Sequence, residues 1–127
     1  MSRVVDSSAW IEWLVGSATG TMVGQELPRP DDWIVPTIVQ LELAKWVLRE
    51  AGEERLDPIL AFMQSCRLAV LDTETALQAA EFCRRHRLAT ADAIVYATAW
   101  RRGADLLTCD AHFADLPNVV LIRKVEH

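Results

Sequence analysis

The sequence predicts an α/β protein, a three-layer α/β/α sandwich around a central parallel sheet of about five strands. Short apolar runs recur along the chain, each bounded by polar residues, as expected of strands buried on both faces. Segments with helical spacing of apolar residues lie between them, in the order βα(α)βααβααβαβ. That alternation implies parallel strands covered by helices on both sides. The first and fourth strands each run into an aspartate, Asp6 and Asp110. Ligands of open α/β sheets bind at the carboxyl edge of the strands, so two acids released there suggest one shared site.

Taken in order, Arg3-Val4-Val5 is the first strand. Ser7 or Ser8 then caps a helix through about Val15, with Gly16 as its stop. Ile11 and Leu14 share its inner face, and Trp10 and Trp13 form another stripe. The stretch from Gly16 to Pro30, rich in Gly, Thr and Pro, reads as a connection with one short helical turn near Thr21–Gln25. Trp33-Ile34-Val35 is the second strand. A long helix follows, with Thr37 and Gln40 at the capping-box spacing and its end near Gly52. Glu53 to Gln64 is a further helix, with Leu56, Ile59, Leu60 and Met63 on one face.

Arg67 to Leu71 is the third strand. Asp72 or Thr73 caps the next helix, through about Arg85, whose core face is carried by Leu77, Ala80 and Cys83. Thr90 caps a helix rich in small residues (Ala93, Ala97, Ala99) that allow close packing on a sheet, and Arg101-Arg102-Gly103 ends it. Leu106-Leu107 forms the fourth strand. After a turn at Pro117-Asn118, Val119 to Ile122 forms the fifth.

At 127 residues the chain reads as one domain, 1–127, able to bury a full core. With 51% hydrophobic and 24% charged residues it has the balance of a globular fold. It contains no apolar run of the ~20 residues that a membrane span needs. The first residues have no signal-peptide pattern, and Cys66, Cys83 and Cys109 are odd in number and lack metal-type spacing. Free thiols in a reducing cytoplasm fit that pattern. The net charge is −5, from 18 acids and 13 Lys or Arg, which argues against a general nucleic-acid binder. Setting aside four acids for a metal site leaves 14 against 13 bases, so local basic clusters matter more. Two stand out, Arg84-Arg85-His86-Arg87 and Arg101-Arg102, and make Arg84, Arg85, Arg87, Arg101 and Arg102 the candidates for nucleic-acid contact.

Asp6, Glu42, Asp92 and Asp110 each have an ordinary explanation. Asp110 can cap a short helix beginning at Ala111. Glu42 can pair with Lys45 three residues on, although that leaves its apolar neighbours unexplained. Asp92 falls in a first helical turn, where the dipole favours an anion by ~0.3–1 kcal/mol. Together they share a positional logic, since two follow strand ends and two sit early in helices that can pack beside those ends. An all-carboxylate site without His or Cys suits Mg²⁺ or Mn²⁺ and not zinc.

These residues resemble a family, the PIN-domain nucleases, and within it the VapC toxins of bacterial toxin–antitoxin pairs. The matching stretches are Val5-Asp6-Ser7-Ser8-Ala9, Glu42 in the helix after Pro36, Thr90-Ala91-Asp92-Ala93-Ile94 with Ala97-Thr98-Ala99, and Thr108-Cys109-Asp110-Ala111-His112-Phe113. The resemblance implies a PIN fold, a Mg²⁺- or Mn²⁺-dependent endoribonuclease, a homodimer, and a VapB-like antitoxin encoded beside it. By the family pattern Asp6, Glu42, Asp92 and Asp110 line the metal site, with Ser7 and Thr108 supporting it. Asp6 and Asp110 would bind metal directly, Asp92 directly or through water, and Glu42 would orient water or a second ion.

Rival readings fit less well. A response-regulator receiver carries an adjacent acidic pair after its first strand, where this chain has Asp6-Ser7. A haloacid-dehalogenase-like phosphatase needs an Asp two residues after Asp6, and that residue is Ser8. A PIN scaffold kept for binding alone is the non-enzyme alternative. Trp10, Trp13 and Trp46, with Leu43 and Val47, belong either to the core or to an interface with a partner.

Overall fold

The computed structural model describes residues 1–125. Five short strands form one sheet: β1 (Arg3–Val5), β2 (Trp33–Pro36), β3 (Arg67–Ala69), β4 (Asp105–Thr108) and β5 (Val119–Leu121). All pairings are parallel, in the spatial order β3-β2-β1-β4-β5. Val4 and Val5 point to opposite faces of β1, as successive strand residues must, and both are fully buried, as are Leu106 and Leu107 of β4. Both faces of the sheet are therefore covered, which is the expected layering.

Six helices provide the cover: α1 (Ser7–Val15), α2 (Ala18–Gly24), α3 (Thr37–Glu50), α4 (Leu56–Gln64), α5 (Thr73–His86) and α6 (Thr90–Arg101). No helix among the described residues is long and apolar enough to cross a membrane. At the amino edge of the sheet, Arg3 clamps β1 to β4 through two bonds to Asp105, at 2.8 and 2.9 Å, and donates to the Glu26 carbonyl at 2.7 Å.

Trp10, Trp13, Trp33 and Phe62 form an aromatic cluster with ring centroids 4.8–6.3 Å apart. Trp10 and Trp33 are buried, so the Trp10–Trp13 stripe of α1 faces the core, whereas Ile11 and Leu14, expected on its inner face, are half-buried. Leu43 and Val47 are also buried, whereas Trp46 lines an open groove with Leu14, Val15, Val47 and Ile59. The three cysteines are free.

Several expected boundaries move, for identifiable reasons. The Gly- and Thr-rich stretch after Gly16 is the full helix α2, started by Ser17, whose Oγ accepts from Gly20 N at 2.9 Å. Glycine serves there for proximity, since a Cβ on Gly20 would stand 2.0 Å from the Glu12 carbonyl oxygen of α1. The N-caps of α1, α3 and α6 are Asp6, Pro36 and Ala89, one residue or more before the expected Ser7 or Ser8, Thr37 and Thr90. None of the three makes a side-chain cap bond, since Pro36 and Ala89 carry no side-chain acceptor and the Asp6 carboxylate accepts from Thr108 and Ser8 instead.

The cap expected at Asp72 is present, with Thr75 N donating at 2.8 Å. On α5 the buried stripe is Thr75, Ala79 and Phe82, while Leu77 is 68% exposed and Ala80 is exposed. Phe82 sets this face by packing on Tyr96 and Trp100 of α6, at 5.0 and 5.8 Å. β3 stops at Ala69, leaving Val70 and Leu71 exposed, and the helix expected from Glu53 is a 3₁₀ turn followed by α4.

Two substitutions separate glycine as spacer from glycine as linker. Gly20→Ala should destabilise the fold by about 3 kcal/mol, the upper end of ordinary overpacking, because the clash is with backbone. Gly24→Ala, whose nearest neighbour would lie 3.8 Å away, should be neutral or stabilise by up to ~1 kcal/mol. Thermal melts of the two variants check this, and equal melting temperatures would contradict the close α1–α2 contact.

Candidate active site

The connections from β1 run to one side of the sheet, through β2 to β3, and the chain then crosses back to add β4 on the other side of β1. The reversal falls between β1 and β4, whose carboxyl ends form a crevice at that point. The register pairs Val5 with Leu107, and the ladder continues one step further through Asp6 N to Leu107 O at 2.9 Å. Asp6 and Thr108 are thereby delivered side by side.

Asp6 is only 4% exposed. Its Oδ2 accepts from Thr108 Oγ1 at 2.8 Å and from Ser8 Oγ at 2.9 Å. The same two hydroxyls reach the next strand-end backbone: Cys109 N donates to Ser8 Oγ at 3.0 Å and Asp110 N to Thr108 Oγ1 at 3.0 Å. Burial holds the Asp6 carboxyl above its ordinary range, the two hydroxyls oppose that, and the charge of Asp110 adds to it.

Glu42 lies in the second turn of α3, and its Oε1 accepts from Ser7 Oγ at 3.2 Å. Ser7 is thus its hydrogen-bond partner, and Lys45 exerts only a minor charge effect. Burial raises the Glu42 carboxyl, followed by the charges of Asp6 and, more weakly, Asp92. Asp92, in the first turn of α6, is raised by burial and by Asp110 and Asp6. The four acids that the sequence singled out therefore feel one another, although they come from four separate elements.

Asp110 follows β4 and caps the 3₁₀ turn Ala111–Phe113, accepting from His112 N at 2.8 Å. That turn adds a group the sequence did not assign. His112 Nδ1 stands 3.2 Å from Asp110 Oδ1 and 3.6 Å from Asp92 Oδ2. Donor atoms of Asp92, Asp110 and His112 lie within 4.8 Å of one another, while Asp6 is outside that trio and adjoins it. The donor set fits a divalent ion, since like charges crowd one point and a nitrogen faces the same point. The all-carboxylate cluster expected from the sequence thus has a histidine beside it. The spacing of Asp110 and His112, two apart on one turn, was the available signal.

The basic candidates are divided. Arg84 and Arg85 pair with Glu81 at 2.5 and 3.4 Å, and Arg101 pairs with Glu74. Arg101 and Arg102 lie at the far end of α6 from Asp92, about 13 Å along the helix axis. Arg87 ends α5 in the left-handed conformation, at the entrance to α6. Beside Asp110, a groove is lined by Ser8, Cys109, Ala111, Arg123 and Lys124. The sequence analysis gave those last two cations no role. Nothing local in the sequence signals this, since it follows from the register that pairs Thr108 with Leu121 and brings Asp110 and Arg123, each two residues beyond, to one groove. The Cys109 thiol, pushed up to about 11 mainly by burial, is not a nucleophile at neutral pH.

No curated protein sequence matches the chain. Its fold is that of several solved structures. A toxin–antitoxin complex from Klebsiella pneumoniae superposes with a TM-score of 0.84 at 19% identity, over 98% of this chain and 100% of that one. VapC20 of Mycobacterium tuberculosis, a sarcin–ricin loop cleaving toxin, gives 0.78 at 20% identity, over 97% and 100%. VapBC2 from Rickettsia felis, bound to a promoter DNA fragment, gives 0.74 at 14% identity, over 98% and 100%. At these identities the likeness is one of fold. Family membership rests on the sequence itself: the model described as PIN domain matches residues 3–119, from β1 into β5 and across all four carboxylates, and the chain belongs to the PIN-domain family.

Proposed function

We propose that residues 1–127 act as one divalent-metal-dependent endoribonuclease unit, the toxin of a VapBC-type pair, hydrolysing RNA phosphodiester bonds. The observation that carries this reading is the convergence of Asp6, Glu42, Asp92 and Asp110 at the sheet's reversal point, where donor atoms of Asp92, Asp110 and His112 lie within 4.8 Å of one another. The family supports a nuclease, and the likeness to VapC20 and to toxin–antitoxin complexes supports RNA as substrate and a VapB-like antitoxin as partner. A homodimer belongs to the same proposal.

In this reading Asp6, Asp92 and Asp110 hold Mg²⁺ or Mn²⁺. When bound, such an ion supplies Lewis-acid polarisation of a phosphate and acidifies water. Thr108 and Ser8 fix the Asp6 carboxylate in one orientation, and Ser7 does the same for Glu42. Glu42, raised by burial and by Asp6, is suited to accept a proton from the attacking water. Arg123 and Lys124 offset the acidic site where the phosphate backbone approaches.

The test is cleavage of a fluorogenic RNA by purified protein. Cleavage with Mn²⁺ or Mg²⁺, none in EDTA, and a loss of about 100-fold or more in Asp6→Asn and Asp110→Asn are expected. Full cleavage in EDTA would overturn metal dependence. RNA binding without cleavage under any of these conditions would make the chain a binding scaffold.

The electrostatics make a second prediction, about the metal-free protein. The folded Asp92 carboxyl is raised, so the folded state binds its proton more tightly than the unfolded state. Stability in EDTA therefore falls as pH rises from the ordinary carboxylate value of ~4 through the raised folded value. Two charges at about 5 Å and an effective dielectric of ~20 repel by about 3 kcal/mol before screening. Asp92→Asn should accordingly raise the melting temperature in EDTA at pH 8, by the equivalent of about 1–2 kcal/mol, and the gain should shrink towards pH 5. The variant should also lose most of the stabilisation that Mn²⁺ gives the wild type. A lower melting temperature with an intact Mn²⁺ response would mean that Asp92 only starts a helix.

A further inference from the structure

His112 is placed with more care than an exposed ion pair requires. Its backbone N–H closes the Asp110 cap at 2.8 Å, which fixes the start of the 3₁₀ turn, and the turn swings the ring over two carboxylates. Nδ1 then faces Asp110 Oδ1 at 3.2 Å and Asp92 Oδ2 at 3.6 Å. Two ligands bound side by side to one ion at ~2.1 Å each stand about 3 Å apart. The observed separations approach that spacing without any change of rotamer. The side chain is 77% exposed, so as a simple ion pair it would contribute little to the fold.

Building on the metal-dependent reading above, we propose that His112 supplies a nitrogen ligand to the ion held by Asp92 and Asp110, and so makes the site select Mn²⁺ and later first-row ions over Mg²⁺. Mg²⁺ prefers oxygen ligands and keeps its waters, so it gains little from an imidazole. Affinity for nitrogen rises from Mn²⁺ to Co²⁺ along the first row, so the benefit of His112 should rise in the same order. A water can replace the imidazole for Mg²⁺ at small loss, whereas the later ions lose a bond they favour.

Calorimetric titration of wild type and His112→Ala with MgCl₂, MnCl₂ and CoCl₂ tests this, together with pulsed electron paramagnetic resonance of the Mn²⁺-loaded proteins. The expected result is a loss of about tenfold or more in Co²⁺ affinity, a smaller loss for Mn²⁺, and less than about threefold for Mg²⁺. The wild-type spectrum should carry nitrogen modulation from a directly bound imidazole, and the variant should lack it. Tight Mn²⁺ binding by wild type without nitrogen modulation, or with modulation retained in the variant, would overturn the role of His112 and leave the carboxylate site standing. No binding of any of the three ions to wild type would overturn the metal-dependent reading itself, and this inference with it.

Discussion

The bond on which the rest depends runs from Thr108 Oγ1 to Asp6 Oδ2. Both residues are buried, and a buried carboxylate is tolerated only when donors replace the water it has lost. The sheet supplies the Thr108 hydroxyl through its register, and the first turn of α1 supplies that of Ser8. β1 and β4 are parallel neighbours, so the residue ending one strand meets the residue following the other. A slip of one residue in that register would turn Thr108 to the opposite face and leave Asp6 buried without it. The pairing of two short strands therefore fixes the acid, and the acid in turn restricts the pairing.

Burying these acids, and gathering their charges at one point, opposes folding, as the raised Asp6, Glu42 and Asp92 carboxyls indicate. Two structural features offset this. α1 begins directly after Asp6 and α6 carries Asp92 in its first turn, so two helix N-termini direct their positive ends at the cluster. The other is the core beneath, where α1 carries Trp10 against Trp33 of β2, and where β1 and β4 are buried on both faces. The same helix thus begins at the crowded acids and carries Trp10 into the core, which ties the cost of one to the gain of the other.

What the sequence made legible follows from the range of the forces involved. β1, β2 and β4, buried at nearly every position, leave continuous apolar runs, and the half-covered edge strands β3 and β5 leave short ones, so all five were readable, as was the parallel order of elements. The four acids were readable because each breaks a local pattern, Glu42 among apolar residues and Asp6 and Asp110 at strand ends. Long-range contacts were not. Gly20 reads as flexibility, and only the approach of α1 shows it to be a spacer. Ser7 and Ser8 read alike, yet one turn of helix sends Ser7 to Glu42 and Ser8 to Asp6. Arg123 and Lys124 sit at a chain end with no pattern of their own, and acquire a setting through the register of β5 on β4.

Asp110 shows why a structural and a functional reading of one residue need not compete. As a cap, its Oδ1 accepts from His112 N and starts a 3₁₀ turn. That same oxygen faces the His112 ring, and the carboxylate as a whole retains lone pairs beyond the one the cap uses. The cap therefore holds the carboxylate still, and a carboxylate held still loses less entropy on binding a cation than a free one would. The exposed position of the turn also keeps the group accessible from the groove beside it. A cap that also faces the cluster is thus the economical arrangement, because the local structure that positions the carboxylate is formed by the carboxylate itself.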